Sequence, residues 1–183
     1  MPPGEPGAGP AGSTRARPTL LLLAAIMLVV ARVGTGIYEE RHPPSVPDLV
    51  SWREPEGAEA EALRERKPVL YDFTADWCAP CQAMQREVFA DPAAAQVLER
   101  MFVPVRVLDR EREEGHNPAL VDSLERRFRV NSFPTLVVVP PAGGDPIVMA
   151  GYQGKARTLQ RLHEAQVQLF LPPGMRKRAG SGR

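Results

Sequence analysis

Trp77-Cys78-Ala79-Pro80-Cys81 contains both cysteines of this 183-residue chain, separated by two residues. Thiols at that spacing close a small disulfide ring when the first of them opens a helix, because one helical turn brings the sulfurs together. A cysteine at a helix N-terminus also meets unpaired backbone N–H groups and the positive end of the helix dipole, which favour thiolate over thiol. Only thiolate attacks a disulfide. The pair therefore reads as a dithiol/disulfide redox centre, with Cys78 the exposed, activated sulfur and Cys81 the shielded one.

The bland readings of the pair are weaker. A structural bridge closing so short a loop removes little entropy from the unfolded chain. Zinc wants two further ligands, yet the chain has no other cysteine, and His42, His116 and His163 stand singly. Dithiol exchange itself calls for neither a metal nor a cofactor. A net charge of +1 with interspersed signs gives no case for nucleic acid. The one-sided cluster Arg176-Lys177-Arg178, with Arg183, falls in a Pro/Gly-punctuated stretch; residues 172–183 read as a disordered, solvated basic tail.

Residues 1–18 read as a disordered leader, since Met1–Ser13 is too rich in Pro, Gly and Ala to form a core. Arg15 and Arg17 then precede an apolar run from Leu20 to Ala31. A basic flank before a run of that length fits a secretory signal. Extended to Tyr38, with Arg32 snorkelling outward and Tyr38 at the interface, the segment reaches the roughly 20 residues that a membrane span needs. Residues 19–38 are thus a signal-anchor or a signal peptide. Either way the positive flank stays in the cytoplasm and the rest is exported. The expected location is the periplasmic side, with 19–38 as the tether to the inner membrane. Residues 39–51 are Pro-rich and polar, a linker.

Residues 52–171 remain for a single domain of ordinary size. Glu56–Arg66 has strong helix formers, and Val69–Thr74 is a short apolar strand. A helix is expected from Cys78 to about Val88. Asp91-Pro92 signals a cap and a first helical residue, for a helix reaching about Arg100, and Asn117-Pro118 repeats that signal for a helix to about Phe128. Phe102–Leu108, Thr135–Val139 and Pro146–Gly151 read as strands, and Thr158–Phe170 as a closing amphipathic helix. The order β-α-β-α-β-β-α, after a leading helix, implies an α/β domain with a mixed central sheet flanked by helices.

Asp72 interrupts an apolar strand that runs straight into the cysteine helix. Burying a carboxylate costs several kcal/mol unless it is paired or neutralised. Asp72 is then either a base placed beneath the cysteines with a raised pKa, able to exchange the Cys81 proton, or a strand residue bonded to nearby backbone. Phe133-Pro134-Thr135 places a proline at the head of a strand; spacing alone favours the commoner trans bond.

Asp72-Phe73-Thr74-Ala75-Asp76-Trp77-Cys78-Ala79-Pro80-Cys81, then Phe133-Pro134-Thr135, then Gly151, resembles the thioredoxin superfamily. Lys67-Pro68-Val69, Ala75-Asp76-Trp77-Cys78 and Val88-Phe89-Ala90-Asp91-Pro92 narrow the similarity to the C-terminal domain of DsbD-type thiol:disulfide interchange proteins.

The resemblance implies a thioredoxin fold over roughly Trp52–Leu171 and a role for each matching residue. Cys78 would attack, Cys81 would resolve the mixed disulfide, and Asp72 would accept its proton. Pro134 would be cis and face the cysteines, leaving the Phe133 backbone to pair with a substrate strand beside Thr135. Trp77 would shield the centre, unless it is a plain core or surface aromatic. Two departures are visible: Ala79-Pro80 replaces Gly-Pro, and the lysine that accompanies the buried aspartate in thioredoxin is replaced by an apolar residue around Val105. The implied activity is thiol-disulfide oxidoreduction, most readily reduction of protein disulfides, with electrons from a separate membrane or periplasmic protein. Rival readings are an oxidase or isomerase, a cytochrome c maturation reductant, and a non-redox binding or holdase module.

Overall fold

The computed structural model describes residues 18–41 and 46–170. The leader, the basic tail and part of the linker, residues 42–45, lie outside the described residues. The chain divides into two units, residues 1–45 and 46–183. In the first, helix α1 spans Pro18–Arg41, and its apolar side chains from Leu21 to Val33 are exposed. Among the described residues, no helix is long and apolar enough to cross a membrane.

The second unit is built on a four-stranded sheet. Its elements run α2 (Ala58–Glu65), β1 (Val69–Ala75), α3 (Ala79–Met84), a π-helical turn (Gln85–Phe89), α4 (Pro92–Met101), β2 (Val103–Asp109), α5 (Glu111–Glu114), α6 (Ala119–Phe128), β3 (Thr135–Val139), β4 (Ile147–Ala150) and α7 (Lys155–Phe170). The strand order is β2-β1-β3-β4. β1 pairs parallel with β2, which the crossover through α3 and α4 requires, and antiparallel with β3; β3 and β4 form the closing antiparallel hairpin. β1 lies at the centre, and that explains its near-continuous apolar sequence: a strand covered on both faces has no solvated side.

Successive residues of β1 point to opposite faces. Val69, Tyr71 and Phe73 pack with Ala58 and Ala62 of α2 and with Leu124 and Phe128 of α6. Leu70 packs on the other face with Met84, Val88 and Phe89, with Leu98 of α4 and with Leu162 of α7. Each large side chain buried this way contributes roughly 1.5–3 kcal/mol. Asp72 follows the alternation of Leu70, so it looks toward the helical layer that begins at the cysteines.

Three local expectations are revised, and one short helix has no sequence expectation. The helix expected over Cys78–Val88 changes register at Gln85, where a π-helical turn begins. Asp91 caps α4 as expected, accepting Ala94 N–H at 2.8 Å, with Pro92 in the first turn. Asn117 caps nothing: its amide donates to Asp109 Oδ2 and its carbonyl accepts Arg110 N–H, each at 2.6 Å, so Pro118 precedes α6 without a side-chain cap. The short α5 lacks any apolar residue to mark it in the sequence. Finally, the end of the segment read as a linker is packed onto the domain. Val50 lies in the core, Leu49 N–H donates to Phe89 O at 3.2 Å, and Arg53 N–H donates to Pro104 O at 2.8 Å. Residues 46–53 form a strap that meets the β2 edge of the sheet at Arg53.

Candidate redox site

The cysteines sit where β1 turns into α3. Cys78 occupies the N-cap with extended backbone (φ −82°, ψ 101°), and Pro80 fills the first turn, where its missing N–H is not needed. Cys78 N–H donates to Ala75 O at 3.1 Å, and Gln82 amide Nε2 ties the turn to Asp76 O at 2.8 Å. The sulfurs form a disulfide, S–S 2.02 Å with Cα atoms 5.2 Å apart. Cys81 N–H points at Cys78 Sγ from 3.2 Å. A donor aimed at that sulfur stabilises negative charge on it once the disulfide opens. In the disulfide form both cysteines are buried, Cys78 to 2% exposure and Cys81 to 4%, so the expectation of a plainly exposed Cys78 is not met. The reason is a cover: Ala75 and Phe133 pack against the pair. Trp77, 45% exposed, stands edge-to-face with Phe133, ring centroids 6.0 Å apart. The Arg112 guanidinium lies over the Trp77 ring, 5.1 Å from its centroid.

β3 brings Phe133-Pro134-Thr135 to the same place. The Phe133–Pro134 bond is cis, as the family resemblance implied and spacing did not. Pro134 and Thr135 are buried, and Thr135 Oγ1 donates to Ser132 O at 2.7 Å. Gly151 N–H donates to Pro134 O at 2.8 Å from the end of β4. Gly151 has φ 77°, a conformation that side chains disfavour, and nothing else crowds the position.

Asp72 is 1% exposed. Burial pushes its carboxyl up to about 6, against the opposing pull of Arg106, and the nearby Asp48 carboxylate adds to the rise. Arg106 is the neighbour of Asp72 across the β1–β2 ladder, with Nε 3.5 Å from Oδ2. The cation expected to be missing near Val105 is therefore present one residue further on. The sequence carried a signal for it: Val103, Val105 and Val107 face one layer, so Arg106 between them faces the other.

A second group of charges borders the site. A cleft of about 400 Å³ on the Trp77–Phe133 side is lined by Val130 and by Asp109, Glu111 and Glu125. Glu125 Oε1 is buried without a hydrogen-bond partner among the described residues. Burial first, and then the carboxylates of Asp109, Asp122 and Glu111, raise Glu125 to about 7. These residues are dispersed between 109 and 125, and only the packing of α6 beside the end of β2 gathers them.

A family model described as a thioredoxin-like domain matches residues 55–166. The chain belongs to that family. It is 32% identical over 107 residues to thiol:disulfide interchange protein DsbD 1 of Pseudomonas aeruginosa, covering 56% of this chain and 17% of that protein. It is 31% identical over 109 residues to a thioredoxin of Mycolicibacterium smegmatis, covering 57% of this chain and 84% of the thioredoxin. The chain thus spans under a fifth of the DsbD relative and most of the thioredoxin. A thioredoxin structure from Thermus thermophilus superposes with a TM-score of 0.56 at 29% identity, covering 67% of this chain and 91% of that one. The thioredoxin fold, the DsbD-like affinity and the class of thiol-disulfide oxidoreductase follow together from these matches and the Cys78–Cys81 pair.

Proposed function

We propose that this thioredoxin-like protein reduces disulfides of protein substrates on the extracytoplasmic side of a membrane. One observation carries the chemistry: Cys78 caps α3 with Cys81 N–H directed at its sulfur. In the reduced protein, Cys78 thiolate attacks one sulfur of a substrate disulfide. A Cys78–substrate bond forms and the other substrate sulfur leaves as thiolate. Cys81 then gives its proton to Asp72 and attacks Cys78 Sγ, expelling the second substrate thiolate and closing the Cys78–Cys81 disulfide. Two electrons have passed to the substrate, and a second thiol protein must return them.

Asp72 suits the proton step because a base works best with a pKa near the ambient pH, and burial lifts this carboxyl toward that range. Phe133, Pro134 and Thr135 would hold the substrate strand against the disulfide, with Trp77 excluding water. Export is the reading that Arg15 and Arg17 ahead of the apolar run Leu20–Ala31 favour; a tether would use the same segment, although no described helix is long and apolar enough to cross a membrane. The similarity to a thiol:disulfide interchange protein supports a partner that is itself a thiol protein.

Direction is the open variable of such a centre. Pro80 stands where strongly oxidising members of the superfamily carry a histidine, which would stabilise the reduced form. Equilibration of the full chain against glutathione redox buffers tests the proposal. The expected potential lies nearer about −270 mV, as in thioredoxin, than about −120 mV, as in DsbA. A value above about −180 mV, the isomerase range, would replace the reductase reading with an oxidase or isomerase.

A further inference from the structure

The strap of residues 46–53 reaches the buried carboxylate through Arg106. A guanidinium offers five N–H donors in a fixed plane. Here the fork is turned away from Asp72: Nη1 meets Asp48 Oδ2, and Nη2 donates to Gln85 Oε1 at 2.6 Å. Nε faces Asp72 at 3.5 Å without hydrogen-bond alignment, and Asp72 Oδ1 has no hydrogen-bond partner among the described residues. Trp52 fixes this orientation from the strap. Its ring centroid lies 4.1 Å from the Arg106 guanidinium, and its Nε1 donates to Asp48 Oδ1 at 2.8 Å. Phe89, stacked edge-on against Trp52, stands 5.6 Å from the same guanidinium.

We infer that Asp48 is a positioning residue for the redox centre: it holds the Arg106 fork on the strap and so withholds it from Asp72. A free fork could turn both of its parallel donors onto the carboxylate, the strongest arrangement available to the pair. Asp72 would then stay ionised to low pH and become a poor proton acceptor. The charged groups bearing on Asp72 are Arg106 from β2 and Asp48 from the strap; Gln85, from the helical layer, and Leu136, from β3, are neutral. Removing the Asp48 charge acts in one direction only. It frees Arg106 and also withdraws a negative neighbour, and both changes favour the ionised form of Asp72.

The inference rests on the proposed role of Asp72 as proton acceptor, and its test keeps the two apart. Carboxyl ¹³C titration of the oxidised full chain, with Asp72→Asn assigning the signal, reads Asp72 directly. In Asp48→Asn and Asp48→Ala the Asp72 midpoint should fall by about one pH unit, a tenfold loss of proton affinity. Asp48→Glu should restore it, and Arg106→Gln should raise it. Adding Asp48→Asn to Arg106→Gln should lower it far less than Asp48→Asn does alone; an equal fall there would reduce Asp48 to a neighbouring charge and overturn the inference. An unchanged midpoint in both folded Asp48 variants would overturn the inference. If the midpoint moves and the pH–rate profile for closing the Cys78–Cys81 disulfide moves with it, both readings stand. If the midpoint moves and that profile does not, Asp48 positions Arg106 as inferred and Asp72 is not the proton acceptor.

Discussion

Asp72 on β1 and Arg106 on the parallel edge strand β2 face one another with Oδ2 and Nε 3.5 Å apart, and the pair is incompletely bonded. A well-formed pair with an arginine pulls a carboxylate below its ordinary pKa wherever attraction outweighs desolvation. Here desolvation prevails and the carboxyl rises to about 6. The fold thus carries a group that is costly at neutral pH, which fits a residue kept for proton transfer rather than for stability.

The cost has a sign that can be measured. A carboxyl whose native pKa is raised binds more protons in the folded than in the unfolded state, so stability declines as pH rises from about 4 to about 6 and stays reduced above. Asp72→Asn should therefore stabilise the domain at pH 7 by up to about 3 kcal/mol, with the advantage shrinking below pH 5. Denaturant unfolding at several pH values checks this. Equal or lower stability of the variant at pH 7 would mean that the Arg106 contact more than offsets burial.

The two sulfurs should separate in their chemistry although both are buried in the disulfide. In the reduced protein, alkylation near neutral pH should modify Cys78 first, since its Sγ faces the Cys81 N–H at the head of α3. Cys78→Ser should abolish turnover, and Cys81→Ser should accumulate mixed disulfides visible on non-reducing gels. Preferential labelling of Cys81 would exchange the two roles.

Much of this site was legible before any coordinates, and the reason is locality. The cysteine pair, its N-cap position and the Asp91-Pro92 helix start are each fixed by neighbours within one turn, so the residues state them directly. Arg106 opposite Asp72 depends on strand register, which a strand's own sequence expresses only as alternation. The Asn117 cap failed for a related reason: its side chain is taken by Asp109, eight residues back, in competition that no local pattern reveals. The π-helical turn after Met84 likewise has no residue signature; it shifts register so that Val88 and Phe89 are buried in the core.

Glu125 should behave as a second destabilising carboxyl. Burial and three neighbouring carboxylates raise it to about 7, so it lowers stability as pH rises from about 4.5 to about 7, the sign being that of Asp72. The side chain is partly exposed, so screening reduces the effect. Glu125→Gln should stabilise the domain by about 1 kcal/mol at pH 8 and by nothing at pH 4. A thermal-melt series across that range that showed no pH-dependent gain would indicate that Glu125 already has a compensating partner in solution.

Topology is the last expectation, and it separates the two fates of the N-terminal segment from the chemistry. Arg15 and Arg17 should hold the N-terminus in the cytoplasm, because positive residues beside an apolar run resist translocation. A reporter active only outside the cytoplasm, fused after Leu171, should therefore be active. Changing both arginines to glutamate should weaken that activity. Fractionation then distinguishes a tether from a signal peptide: an uncleaved anchor keeps the domain with the membrane after carbonate washing, whereas a cleaved signal releases it. Activity confined to a cytoplasmic reporter would remove the extracytoplasmic assignment while leaving the dithiol chemistry at Cys78 and Cys81 intact.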